Sequence, residues 1–221
     1  MPTYIVCAIS FFGFVPYLKM IDYWFHTTGN KGANQTPLDW DTRMKIAAGA
    51  ALGLEYLHDE GIMHGNIKSS NILLTKNYTA CVSDYGVVQL VSATPAVNRI
   101  LGYRAPEVTD IRRTDPKADV YSFGVLLIEL LTGKAPVHAS VSDEDGIDLP
   151  RWVQSVAQEE WSTQVFDKEL MKYQGNIEEE MVGMLHIAQQ CVAPSPDQRI
   201  PFKQVVEMIK DLRKDNAEII T

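Results

Sequence analysis

Apolar residues recur at helical spacing through most of the chain. Met44, Ala47, Ala48, Ala51 and Leu54 fall on one face, extended by Tyr56 and Leu57, and predict a helix that starts at Trp40, is capped by Asp39 and ends by Gly61. The small residues from Ala47 to Ala51 predict close approach to a neighbouring helix. Residues 118–131 are apolar nearly all round, with Asp115-Pro116 as a helix start before them and Gly133 as a stop after them. That pattern predicts a buried central helix at about 116–132. Shorter helices are predicted near Leu149-Pro150, over 178–192 with Met181, Met184, Leu185, Ala188 and Val192 on one face, and over 202–212. Strand signal is confined to the residues flanking 62–82: Ile62-Met63, Ile72 to Leu74, and Thr79 to Val82 after a Lys76-Asn77 turn. The fold class is mainly α with a few short β-strands.

Between two of those apolar runs lies His64-Gly65-Asn66-Ile67-Lys68-Ser69-Ser70-Asn71, a loop rich in directional polar groups. Loops of this kind are where sites are built, although most loops are not sites. Beyond it, Ser83-Asp84-Tyr85-Gly86 closes a strand, 87–101 shows no persistent period, and 102–107 reads as a turn entering a short helix. The acidic stretch 142–148 reads as a surface loop.

The 221 residues suffice for one large domain or two small ones, and 46% hydrophobic with 22% charged residues is ordinary for a globular protein. A net charge of −8 argues against a nucleic-acid partner, which would need a basic face. Of the three cysteines, Cys81 and Cys191 lie in apolar runs and read as buried free thiols, which fits a reducing compartment. Residues 1–18 carry no charged side chain, but Gly13 and Pro16 interrupt the apolar stretch and no basic region precedes it. A membrane anchor competes there with a segment that packs on the domain, or one outside the fold. The polar run 27–36 reads as a linker. The expected organisation is an atypical apolar segment and linker over 1–35, a folded lobe over 36–214 and a tail over 215–221.

The order of motifs resembles the C-terminal lobe of a protein kinase, whose pattern runs H-R-D-L-x-x-x-N, D-F-G, A-P-E. The matching segments are His64-Gly65-Asn66-Ile67 with Asn71, Asp84-Tyr85-Gly86, and Ala105-Pro106-Glu107. The wording HGNIKSSNILL, GYRAPE and DVYSFGVLLIELLTGKAP is similar to plant leucine-rich-repeat receptor-like kinases. The resemblance implies that Asn71 and Asp84 hold the magnesium ions bridging the phosphates of ATP, hard oxygen ligands for a hard cation. It implies that Lys68 sits near the transferred phosphate and belongs to the nucleotide site. It makes Glu107 and Arg199 a buried bridge, and His64 and Asp119 braces of the catalytic loop.

Three departures separate this sequence from the family's pattern. Asn66 stands where the family has its catalytic Asp. An amide can hold a substrate hydroxyl but cannot take its proton, and losing a general base costs about 10²–10⁴-fold. Gly65 replaces an Arg that elsewhere pairs with a phosphorylated activation loop, so phosphate on Ser92 or Thr94 would lack that partner. Upstream, the sequence contains no G-x-G-x-x-G and no V-A-I-K, and the residues before Asp39 are too few for a five-stranded N-lobe. ATP and Mg²⁺ binding is therefore expected to be weak or absent. Two readings stand: a catalytically impaired kinase-fold signalling module that docks other protein kinases or signalling proteins, and an active serine/threonine kinase of which this is an incomplete version. Family context places either on the cytoplasmic side of the plasma membrane, with membrane association through that context or through residues 1–18, although the chain itself could be soluble.

Overall fold

The computed structural model describes residues 19–20, 38–86, 102–110, 115–136, 148–172 and 177–217. Residues 1–18, the linker at 27–36, Ser92 and Thr94, and most of the acidic stretch lie outside the described residues. The described elements are β1 (Lys19–Met20), α1 (Trp40–Asp59), β2 (Ile72–Leu74), β3 (Ala80–Val82), α2 (Pro116–Thr132), α3 (Leu149–Ser155), α4 (Ile177–Cys191) and α5 (Phe202–Ala217). The architecture is mainly α with a few short β-strands, as expected. Among the described residues no helix is long and apolar enough to cross a membrane.

Helix α1 begins where the sequence marks it: the Asp39 side chain accepts a hydrogen bond from Thr42 N at 2.9 Å. Helix α2 is likewise capped, Ala118 N donating to Asp115 Oδ1 at 2.8 Å, and stops at Gly133, whose φ of 66° suits glycine. Its residues from Phe123 to Thr132 are all buried, so α2 is the central helix of the core. It packs chiefly on α4, and Gly124 permits the approach: a Cβ there would lie 2.6 Å from Cys191 Cβ.

Three expectations need correction. Ile62-Met63 is not a strand; instead Ser69–Asn71 forms a single 3₁₀ turn leading into β2. Backbone groups of the loop find partners on other elements, His64 N and Gly65 N on Asp119 and Asn71 O on Ser83 N, so no strand pairing is needed to satisfy them. Residues 102–107 hold a 3₁₀ turn at 102–103 followed by a turn at 106–107, the reverse of the expected order, with no α-helix. Helix α1 packs on α5 and α2 and also on strand β3, where Cβ atoms on Gly49 and Gly53 would lie 3.1 Å from Ala80 Cβ and 2.9 Å from Val82 Cγ2. Cys191 is a buried free thiol, but Cys81 is disulfide-bonded, with its partner outside the described residues. An apolar setting favours burial and does not decide pairing.

The sheet has the order β1-β2-β3, all antiparallel. Ile72 pairs with Val82, which sets Asn71 opposite Ser83 and delivers Asp84 one residue further on. The unanticipated β1 pairs Lys19 with Leu74 and Met20 with Leu73, inside the span expected to precede the lobe.

Candidate functional site

The loop from His64 to Asn71 is held from three sides. Asp119, 1% exposed in the first turn of α2, accepts His64 N and Gly65 N at 2.8 Å each, one on each carboxylate oxygen. His58 Nε2 completes the set 3.0 Å from Asp119 Oδ2. A carboxylate near a helix N-terminus is favoured by the helix dipole, and this one fixes the backbone at the start of the loop. Gly65 makes the turn at φ 73°, a left-handed conformation that glycine adopts without strain. On the far side, Asn71 O accepts both Ser83 N at 2.9 Å and Ser83 Oγ at 3.0 Å. Gly86 N closes the frame on His64 O at 3.1 Å.

Within that frame the structure joins Asn66 and Asn71, with Lys68 on the same loop and Asp84 next to Ser83, whose backbone N–H donates to Asn71 O. Asn71 Nδ2 donates to Asn66 O at 2.8 Å, which orients the Asn71 amide. Asp84 is exposed and left-handed at φ 59°, a region where Asp is tolerated better than most side chains. Lys68 is half-buried on the same loop. Asn66 N donates to His64 Nδ1 at 3.3 Å, so the neutral imidazole carries its proton on Nε2. Burial pushes the His64 pKa down, against the pull of the Asp119 and Asp84 carboxylates, which keeps the ring neutral. Two polar atoms of this loop are buried with no hydrogen-bond partner: His64 Nε2 and Asn66 Oδ1.

Glu107 and Arg199 belong to a separate cluster. Arg199 donates through Nη1 and Nη2 to the two Glu107 oxygens at 2.6 and 2.8 Å, a bidentate pair. Its remaining reach goes to carbonyls, with Nε on Ala193 O at 2.8 Å and Nη1 also on Lys117 O at 3.0 Å. Burial raises the Glu107 pKa, but the hydrogen bonds and charge of Arg199 outweigh it and hold the carboxyl below its ordinary value.

Several supports escaped the sequence reading. Tyr103 OH donates to Glu129 Oε2 at 2.5 Å and lies 3.0 Å from Ser69 Oγ, joining the 102–107 segment to both α2 and the catalytic loop. Burial, then the Glu129 carboxylate, push the Tyr103 pKa well above its ordinary value. Apart from Asp119, Glu129 is the lone charged residue in the run 118–131, and an acid so placed was the available signal. Arg43, 2% exposed, binds Leu38 O at 3.0 Å, Leu130 O at 2.8 Å and Asp167 Oδ2 at 2.6 Å. Nothing in the sequence paired residues 43 and 167.

The donor set at Asn71 and Asp84 suits magnesium. The Asn71 amide is oriented through its nitrogen, which leaves Oδ1 as the acceptor, and Asp84 supplies a solvent-facing carboxylate across the hairpin. Magnesium is commonly bound through one or two such oxygens together with substrate phosphates. Bound there, the ion would offset phosphate charge.

This arrangement, a mainly helical lobe with a polar loop clamped to its central helix and an acid across a short hairpin, is that of a protein kinase. Residues 14–209 match the protein tyrosine and serine/threonine kinase family, and the chain belongs to it. Its relatives are receptor-like kinases, several of them described as inactive. It is 55% identical over 195 residues to "Probable inactive receptor kinase RLK902" of Arabidopsis thaliana, covering 86% of this chain and 30% of that protein. It is 47% identical over 209 residues to "Leucine-rich repeat receptor-like protein kinase PXC1" of the same plant, covering 86% and 31%. The chain thus spans about a third of the length of these curated relatives. Among solved structures it resembles the pseudokinase domain of BIR2, an immune regulator of the RLK/Pelle family, with a TM-score of 0.70 and 30% identity over 89% of this chain and 58% of that one.

Proposed function

We propose that this chain is a kinase-fold signalling module of receptor-like type that has lost efficient phosphotransfer and acts by docking other protein kinases or signalling proteins. The observation that carries the reading is Asn66. The loop around it is assembled, with its backbone pinned by Asp119 and its carbonyl bound by Asn71. Its side chain presents a buried acceptor that cannot become a base. In this reading Asn66 can orient a hydroxyl, Lys68 faces phosphate charge, and Asn71 with Asp84 retain a residual magnesium–ATP site. His64 and Asp119 set the loop, while Glu107 and Arg199 set the segment beside it. The receptor-kinase relatives support a place on the cytoplasmic side of the plasma membrane.

A second reading, transfer of the ATP γ-phosphate to serine or threonine, is favoured by the retained Lys68, Asn71 and Asp84. A thermal-shift titration with magnesium and ATP separates the two. The first reading expects at most a small rise in Tm, diminished in Asp84→Ala. A large saturating rise, lost in Asp84→Ala, would favour the second.

A further inference from the structure

The last turns of α1 and the first turns of α2 and α5 border a cavity of about 140 Å³. Asp59, Pro116, Pro201 and Lys203 are exposed among its lining residues, so a solute can enter from the surface. Its apolar wall is built by the starts of two helices, with Pro116 and Val120 on α2, and Pro201 and Phe202 at α5. The Phe202 ring meets His58 edge to face at 4.8 Å and Phe123 at 5.4 Å, so a column of rings runs from the core to the cavity. A cavity of about 150 Å³ is enough to hold benzene. A guest ring here would extend the column in the geometry that aromatic pairs favour.

Helix α1 supplies the polar wall. Glu55, His58 and Asp59 are three and four positions apart and so share one face of the helix. His58 Nε2 lies 3.0 Å from Asp119 Oδ2, and a carboxylate oxygen only accepts, so Nε2 carries a proton. In the neutral ring Nδ1 is then an acceptor. Among the described residues it has no hydrogen-bond partner, and it is not one of the atoms sealed from solvent. The carboxylates of Glu55 and Asp59 disfavour an anion beside it, while Lys117 of α2 and Lys203 of α5 disfavour a cation. A neutral guest that donates one hydrogen bond fits both walls.

We infer that this cavity binds a small neutral aromatic molecule bearing a hydroxyl group, of the phenol class. The ring packs against Pro116, Val120 and Phe202, and the hydroxyl donates to His58 Nδ1. One residue separates the site from the catalytic loop. Asp119 takes His58 on the same Oδ2 that accepts His64 N, and holds Gly65 N on Oδ1. A guest that draws on the imidazole therefore bears on the backbone at His64 and Gly65. The inference rests on neither reading of phosphotransfer.

The test titrates phenol, benzene and the blocked tripeptide Ala-Tyr-Ala into the ¹⁵N-labelled chain. It follows the His58 Nδ1 resonance together with the backbone amides of His64 and Gly65. Phenol is expected to shift all three saturably, and benzene to bind about tenfold more weakly, because it brings no donor. Val120, 1% exposed on the cavity wall, offers a block: Val120→Phe grows into the space and should abolish the phenol response. No saturable His58 shift with phenol, or an undiminished response in Val120→Phe, would overturn the site. A His58 shift that leaves His64 and Gly65 unmoved would overturn the link to the loop. Benzene binding as tightly as phenol would remove the role given to the hydroxyl. Tighter binding of Ala-Tyr-Ala than of phenol would overturn the small-molecule assignment in favour of a peptide side chain. Should Val120→Phe fail to fold, the wild-type titrations decide alone.

Discussion

Two sets of residues in the lobe treat buried polarity in opposite ways. In the braces, Arg43 with Asp167 and Arg199 with Glu107, charge is paired and the spare donors go to carbonyls. In the loop at 64–71 the backbone is equally well held, yet His64 Nε2 and Asn66 Oδ1 are left unmatched. The braces are built for stability, whereas the loop carries unsatisfied groups that contribute nothing to it. Groups left open inside a well-supported frame are the signature of a site. Here the frame is that of a kinase, and the group at the base position is an amide.

Substitutions in the two sets should therefore differ sharply. Arg43→Ala strands the Asp167 carboxylate and two backbone carbonyls, and is expected to lower unfolding free energy by about 3–5 kcal/mol in urea titrations. A cost under about 1 kcal/mol would remove the distinction between brace and site.

Acid acts on the second brace. The Glu107 carboxyl sits below its ordinary value of 4.5 in the fold. Its stabilising contribution is thus complete above 4.5 and is lost as pH falls through the lower folded value. The stability gap between wild type and Glu107→Gln should close on acidification below 4.5 and stay constant above it. The partial exposure of Glu107 keeps this effect smaller than that of Arg43→Ala.

Asn66→Ala should be the mildest change. It removes a buried acceptor with no partner while sparing the backbone bonds of residue 66, so stability should move by no more than about 0.5 kcal/mol. A large loss in the same urea titration would show that the amide is structural.

Much of this was legible in the sequence because local rules and tertiary roles coincide. Asp39, Asp115 and Gly133 mark helix ends by chemistry that operates within a few residues, and the apolar run 118–131 has no stable place except the core. The motif residues His64, Asn71, Asp84 and Glu107 were found because their order resembles a known pattern. What escaped depends on contacts remote in sequence. Arg43 and Asp167 are 124 positions apart, and Tyr103 and Glu129 are 26 apart. The expected strand at Ile62-Met63 failed because apolar character alone does not supply a pairing partner. The small face of α1 announced a close approach without saying that Ala80 and Val82 of β3 would fill it.

The central claim is that the loop is assembled but lacks its base, and phosphate transfer tests it most directly. The purified chain and Asp84→Ala would be incubated with magnesium, γ-labelled ATP and a serine- and threonine-rich acceptor protein, and label incorporation followed. The account predicts incorporation at background in both. Robust magnesium-dependent transfer by the wild type, abolished in Asp84→Ala, would contradict it.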